Sequence, residues 1–261
     1  MHPLAIIPIR ALQDNYIWAI VHKPSQQTLI VDPGESTPVI DFLKQHQYRL
    51  MGILLTHHHG DHTQGVPGLL DQFPDIPVWG SVDSSLPIIN HPIHHQPEIA
   101  VNNNFPTYTI LKIPGHTLDH IAYWDKENAQ LFCGDTLFAA GCGRAFEGTL
   151  AQLYDSLQRL AALPDHTHIY CAHEYTLKNL EFAQRVDPHN QEVSVRQAQV
   201  KSLRNVGLPS LPSTLLEEKA TNPFLRCNNP EIIATAQSYA GKTLSSPVEV
   251  FSTLREWKNI F

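Results

Sequence analysis

The chain has 261 residues, of which 42% are hydrophobic, and a formal net charge of −7. That is enough apolar material for one large domain or for a domain with an appendage. The acidic balance makes nucleic acid a poor partner, and no apolar run approaches the ~20 residues of a membrane span. The amino terminus, Met1-His-Pro-Leu-Ala, carries neither a basic region nor a long apolar segment, so no secretory signal is expected and a cytoplasmic location is. Cys133, Cys142, Cys171 and Cys227 form no Cys-x-x-Cys pair and no disulfide-type spacing, in keeping with reduced thiols. Residues 1–175 hold 8 Lys/Arg against 17 Asp/Glu, a net of −9, and residues 176–261 hold 10 against 8, a net of +2. Bound divalent cations would offset part of the acidic half, and the more basic tail suits an anionic substrate.

In chain order, residues 4–12 and 16–22 read as paired strands about the turn Gln13-Asp14-Asn15, and 28–31 as a third. A helix follows, with Thr37 expected as its cap, Pro38 at its first position, and Val39, Ile40, Phe42 and Leu43 on its apolar face. Residues 49–55 read as a strand, 66–73 as a helix, and Val78-Trp79 as a short strand. The polar, Pro-rich stretch 83–104, with His91, His94 and His95, reads as a solvated loop. Strands are expected over 107–113, 120–124 and 131–133. Thr149 and Gln152 spell a capping box before a helix reaching Leu163, and 169–172 reads as a final buried strand. Beyond about residue 176, helical patterns take over: 177–186, 190–205, 230–239 and 247–258. The last has Ser246 as cap, Pro247 first and Glu249 completing a box. The pattern implies an α/β domain over 1–175 and a helical domain over 176–261.

The stretch that carries chemistry is Ile53-Leu-Leu-Thr-His-His-His-Gly-Asp-His62. A buried strand gives way to His57, His59, Asp61 and His62, and Gly60 permits the sharp turn. Imidazoles and a carboxylate in this spacing suit zinc, iron or manganese. His57 and His59 point to one side of extended chain, and Asp61 with His62 offers a second cluster, so two adjacent metals are expected. Three further candidates stand at the ends of predicted strands: His116 after Ile113-Pro-Gly, Asp135 after Leu131-Phe-Cys-Gly, and His173 after Tyr170-Cys-Ala. Asp135, the acid among them, is the candidate bridge for two ions roughly 3.5–4 Å apart.

With these residues in view, the chain resembles the metallo-β-lactamase superfamily and, within it, the glyoxalase II (hydroxyacylglutathione hydrolase) family. The resemblance rests on Thr56-His-His-His-Gly-Asp-His62, Pro114-Gly-His-Thr117, Gly134-Asp-Thr-Leu-Phe138, Gly141-Cys-Gly-Arg144, Phe146-Glu-Gly-Thr149 and Cys171-Ala-His-Glu-Tyr175. Asn222-Pro-Phe-Leu-Arg226 and Leu254-Arg-Glu-Trp-Lys258 extend it nearly end to end. It implies an αβ/βα sandwich with a C-terminal helical, glutathione-binding domain. It implies a first metal on His57, His59 and His116, a second on Asp61, His62 and His173, and Asp135 bridging. Arg144, Tyr175, Arg255 and Lys258 are implied as glutathione contacts. Two residues depart from the family pattern: Phe146 stands where some members carry a Tyr that bonds glutathione, and Asp119 stands where Gly is frequent.

The implied reaction is hydrolysis of S-D-lactoylglutathione to D-lactate and glutathione, a step of methylglyoxal detoxification. Two divalent ions, zinc first among the choices with iron and manganese also suited, would hold the attacking hydroxide. Asp61 is expected to orient that hydroxide, and Asp32 and His120 to accept hydrogen bonds from ligand imidazoles. A monomer acting on a small-molecule thioester is expected, with no nucleic-acid or membrane partner. The rival readings are a glutathione persulfide dioxygenase with one iron, a β-lactam hydrolase, and a non-enzymatic metal-binding protein. The long helical tail and the glutathione-type motifs weigh against the first two, and the histidine motif at a strand end against the third.

Overall fold

The runs of β-branched and aromatic residues near the amino terminus form strands as their composition favours. In the computed structural model, which describes residues 3–261, β1 (Leu4–Ala11) and β2 (Asn15–His22) make an antiparallel hairpin. β3 (Gln27–Val31) joins β2 antiparallel, with a register irregularity at Thr28/Leu29 of its other edge. After α1 (Ser36–His46), strand β4 (Arg49–Leu54) pairs with β3 in parallel. The chain then turns through α2 (Gly60–Thr63) and α3 (Val66–Gln72) into β5 (Val78–Ser81) and β6 (His91–Ile93), both parallel additions. The sheet order is thus β1-β2-β3-β4-β5-β6. β7 (Glu98–Ala100), β8 (Thr107–Lys112), β9 (Ile121–Asp125) and β10 (Gln130–Gly134) form an antiparallel meander.

The contacts divide the chain into two units, and the elements so far belong to the first, which runs to Lys112 and takes in Thr117–Gly134. Its core packs Ile17, Ala19, Val21 and Ile30 with Val39, Leu43, Ile53, Val66 and Leu69. These are alternating strand positions and one stripe of each helix, the arrangement that buries an amphipathic helix on a sheet face.

The second unit comprises Ile113–His116 and Asp135–Phe261. It begins with a small hairpin, β11 (Leu137–Phe138) and β12 (Gly141–Cys142), then α4 (Leu150–Ala161). Next come β13 (His168–Cys171), α5 (Thr176–Val186) and α6 (Gln191–Asn205). β14 (Ser213–Thr214) pairs antiparallel with β13. α7 (Leu215–Thr221), α8 (Pro230–Ala240) and α9 (Pro247–Ile260) complete it. The expected capping box at Thr149 and Gln152 is formed in full. Among the described residues, no helix is long and apolar enough to cross a membrane.

Several local expectations are corrected. Helix α1 starts at Ser36, with Glu35 at the cap position and Thr37 inside the first turn. The Glu35 carboxylate serves another segment, accepting from Leu12 N at 2.7 Å. Residues 83–104 contain the two short strands β6 and β7. Strand β14 and helix α7 lie in a region expected to hold only the four longer helices. At α9, Ser246 accepts from Glu249 N as expected, but the Glu249 carboxylate reaches Ser245 N, one residue earlier than a standard box.

Candidate active site

In the first unit the histidine motif hangs on one buried carboxylate. Asp32 follows β3 in the left-handed region, φ 51, a conformation Asp tolerates better than most residues. That geometry aims both oxygens at the end of β4. Thr56 N donates to Asp32 Oδ1 at 2.8 Å, and Thr56 Oγ1 donates to Oδ2 at 2.7 Å. His62 Nδ1 donates to the same Oδ2 at 3.0 Å. With its proton given to Asp32, Thr56 Oγ1 accepts from His57 Nδ1 at 3.0 Å. The two imidazoles are therefore fixed in the tautomer that leaves Nε2 as the ligand atom. Asp32 is thus the acceptor the sequence suggested.

The other expected residues of this unit gather about them. The His57 ring lies 4.8 Å from that of His59 and 4.2 Å from that of His62. Asp61 lies in the first turn of the short helix α2, and its Oδ2 lies 3.4 Å from His62 Nε2. Asn15 Nδ2 donates to that oxygen at 3.1 Å and to the Asp61 carbonyl at 3.3 Å. Sequence reasoning placed Asn15 in a turn and missed this contact; the one available signal was a polar residue opening an otherwise apolar strand. His120 stacks on His57 at 4.5 Å and 11° and points its Nδ1 at Ile121 O, which makes Nε2 its acceptor nitrogen. Gly134, φ 48, closes β10 beside this stack, where an added Cβ would meet Thr56 and His120.

Asp119 is buried and does not serve its neighbour in sequence, His116. Its Oδ1 accepts from Thr117 Oγ1 at 2.6 Å and from His58 Nδ1 at 2.9 Å. It thereby pins the middle histidine of the motif, which no sequence argument had assigned a task.

In the second unit, His116, Asp135 and His173 come together. Asp135 Oδ2 lies 3.5 Å from His116 Nε2, and Oδ1 lies 3.4 Å from His173 Nε2. Each carboxylate oxygen thus faces a different imidazole. His116 Nδ1 donates to Arg144 O at 2.8 Å, which again leaves Nε2 as the ligand atom. His173 lies face to face with Tyr175, 4.7 Å and 6°, and Phe138 meets both rings edge-on at 5.8 and 5.2 Å.

A cavity of about 350 Å³ opens beside these residues, within the size range of small-molecule sites. Arg144, Lys178, Arg255 and Lys258 give its wall four cations, with Asp135 the acid and Tyr175 and Phe146 aromatic surface. All four expected glutathione contacts line it, and Lys178 is an addition. Arg255 is largely committed to the protein: Nη1 donates to Cys142 O at 2.8 Å, while Nε is buried without a hydrogen-bond partner. Burial first, then the neighbouring charges of Arg255 and Arg144, pull the Lys258 ammonium down to about 8. Phe146, 62% exposed, rests its ring 5.3 Å from His116 and offers no hydroxyl.

The profile described as hydroxyacylglutathione hydrolase C-terminus matches residues 174–261. That of the metallo-beta-lactamase superfamily matches residues 13–173. The hydroxyacylglutathione hydrolase of Nitrosomonas europaea is 49% identical over 256 residues, covering 98% of this chain and 96% of its own. The chain belongs to the hydroxyacylglutathione hydrolase family. Among solved structures, ETHE1 from Myxococcus xanthus has a TM-score of 0.64 at 24% identity, with 98% of each chain covered. TTHA1623, solved in a di-iron-bound form, has a TM-score of 0.53 at 24% identity, covering 64% of this chain and 91% of that one. The fold is accordingly the metallo-β-lactamase fold, of the α/β class, with a helical C-terminal region as this family has. In that setting the His/Asp clusters support binding of divalent metal. Their donor set fits such an ion: imidazoles with Nδ1 committed elsewhere, together with carboxylates.

Proposed function

We propose that the protein hydrolyses glutathione thioesters, converting S-D-lactoylglutathione and water to D-lactate and glutathione in methylglyoxal detoxification. The observation that carries this reading is Asp135. Its two oxygens face two imidazoles at the edge of a cavity walled by four cations. A carboxylate so placed suits a bridge, and a cationic cavity suits a tripeptide with two carboxylates.

In this reading His57, His59 and His116 would hold one divalent ion and Asp61, His62 and His173 a second, zinc by preference, with Asp135 a ligand shared by both. When bound, such a pair supplies Lewis acidity and a water that ionises near neutral pH. The chain's own residues do the rest. Asp61 Oδ2, steadied by Asn15, accepts a hydrogen bond from the attacking water and orients it. Arg144 and Lys258 take the glutathione carboxylates, Arg255 adds its positive charge from behind the Cys142 carbonyl that it bonds, and Tyr175 flanks the ligand while holding His173 in plane. A thiolate leaves readily, so no strong general acid is required on the departing sulfur. The functional division falls at 175/176, with the metal-binding catalytic part before it and, after it, a helical part that adds Arg255 and Lys258 to the glutathione contacts Arg144 and Tyr175. The protein acts as a cytoplasmic monomer, without nucleic-acid or membrane partners.

The test is an assay of S-D-lactoylglutathione by loss of thioester absorbance, with metal content measured on the same sample. Turnover with about two ions per chain is expected. A fully metal-loaded protein that leaves the thioester intact would sink the substrate assignment. Oxygen uptake with glutathione persulfide would then favour the dioxygenase reading, which the match of the helical tail to the hydrolase family disfavours.

A further inference from the structure

The hairpin β11–β12 is only two residues deep on each side. Its turn contains Ala140 at φ 54, a left-handed position that a residue with a Cβ adopts only under external constraint. The constraint comes from three buried side chains far off in sequence: Asn179 of α5, Glu218 of α7 and Asn222, which follows α7. Asn222 Nδ2 donates to Phe138 O at 3.2 Å and to Gly141 O at 2.9 Å. Asn179 Nδ2 donates to Ala139 O at 2.9 Å. Glu218 Oε2 accepts from Ala140 N at 2.7 Å and from Asn222 Nδ2 at 3.0 Å. The remaining oxygen of Glu218 faces Arg196 Nη2 at 2.6 Å. Glu218 and Asn222 are completely buried, and Asn179 is 3% exposed.

A buried ion pair is weak evidence for stability, since desolvation consumes most of its attraction; its better-attested use is to select one conformation. Here the conformation selected is that of a turn whose arms enter the cavity. Phe138, which braces Tyr175, ends one arm, and Cys142-Gly143-Arg144 leaves the other. Arg255 bonds that second arm at Cys142 O. A small relaxation of the turn therefore moves Phe138 and Cys142, which line the cavity.

We infer that Glu218, Asn222 and Asn179 are positioning residues for ligand affinity: they hold the Phe138–Cys142 hairpin in the one shape that completes the glutathione cavity. The inference rests on the proposed thioesterase function and specifies how its binding site is kept in register.

The experiment compares Glu218→Gln, Asn222→Ala and Gly141→Ala with the wild-type full chain. Gly141→Ala attacks the same contact from the hairpin side, because an added Cβ would meet the Asn179 amide. Val39→Ala, in the core of the other unit, serves as a control for stability loss alone. For each protein, kcat and KM for S-D-lactoylglutathione, the inhibition constant of free glutathione, metal content and the unfolding midpoint are measured. The expected result is a parallel rise of KM and of the glutathione constant by about tenfold, with kcat within about twofold, the signature of lost uniform binding. Metal content stays unchanged, and Val39→Ala lowers the midpoint without moving KM. Lowered midpoints with unchanged KM and glutathione constant would overturn the inference, leaving a merely structural network. So would a fall in kcat accompanied by metal loss, which would assign the hairpin to Asp135 instead. If Glu218→Gln does not fold, the other two variants decide. A wild-type protein that neither binds glutathione nor cleaves the thioester would overturn the functional reading together with the inference. A wild-type protein that does both, alongside unaffected variants, would overturn the inference alone.

Discussion

His62 Nδ1 donates to Asp32 Oδ2 across 3.0 Å, and both side chains are buried. The same oxygen receives Thr56 Oγ1, which in turn accepts from His57 Nδ1. One carboxylate, from a loop 24 positions before Thr56, thus sets the tautomer of two imidazoles. A ligand histidine must present a lone pair, and a fixed acceptor on its far nitrogen makes that lone pair permanent and more basic.

Asp32→Asn tests this directly. Asparagine tolerates the left-handed backbone at this position, so the change is confined to the side chain. An amide bears no charge and offers one oxygen where the carboxylate offers two. Metal affinity is expected to fall about 10- to 100-fold, measured by competition with a chelator of known affinity. Unchanged affinity would show that the imidazoles hold their orientation without Asp32.

Asp119→Gly restores the residue frequent in the family and removes the acceptor of both Thr117 Oγ1 and His58 Nδ1. Thr117 is fully buried and cannot turn to water, whereas His58 is partly exposed and can. The expected cost is about 1–3 kcal/mol, read as an earlier midpoint in urea unfolding. A stability equal to wild type would mean that the segment repacks around the loss.

The residues expected as metal ligands could be singled out locally, because His57 to His62 follow one apolar run and His116, Asp135 and His173 each follow another; the structure brings His57, His59 and His62 together, and likewise His116, Asp135 and His173. The Thr149–Gln152 box is likewise local and forms as written. Asn15 with Asp61 and Glu218 with Ala140 are 46 and 78 positions apart, and nothing in either partner's neighbourhood announces the other. β6 and β7 have three residues each in a Pro-rich segment; such strands exist through pairing, not propensity. Helix α7 did carry a local signal, the Thr214–Glu217 capping box, but its seven residues supply little periodicity. Helix α1 starts one residue before Thr37, and the Glu35 side chain at its cap position bonds Leu12 N instead of the helix.

Phe146→Tyr adds a hydroxyl to a ring that lines the cavity and packs on His116. The ring is mostly exposed, so the oxygen can be accommodated without disturbing a core. With a glutathione ligand in the cavity, one neutral hydrogen bond of about 0.5–1.5 kcal/mol becomes available. KM for the thioester is expected to fall by about two- to tenfold with kcat little changed. Steady-state kinetics on the two proteins decide the point, and an unchanged KM would place the glutathione backbone out of reach of position 146.

Lys258 makes ligand binding depend on pH. Its ammonium is held down to about 8 by burial and by the charges of Arg255 and Arg144. A carboxylate needs the protonated form, so affinity is full below pH 8 and declines as the pH rises through that value. Binding of an anion must conversely raise the lysine pKa, because the same coupling acts in both directions. For folding the sign is opposite. The unfolded chain, with an ordinary lysine, holds the proton more tightly, so this residue's unfavourable contribution is relieved as the pH climbs from about 8 toward the unfolded value. The glutathione inhibition constant should therefore rise with pH, bending near 8, while unfolding stability gains from this group over the same range. Lys258→Arg keeps its charge throughout and should abolish the bend; Lys258→Met should bind weakly at every pH. Calorimetric titration of glutathione at pH 7, 8 and 9 separates these curves, and a wild-type curve parallel to that of Lys258→Arg would remove Lys258 from the binding equilibrium.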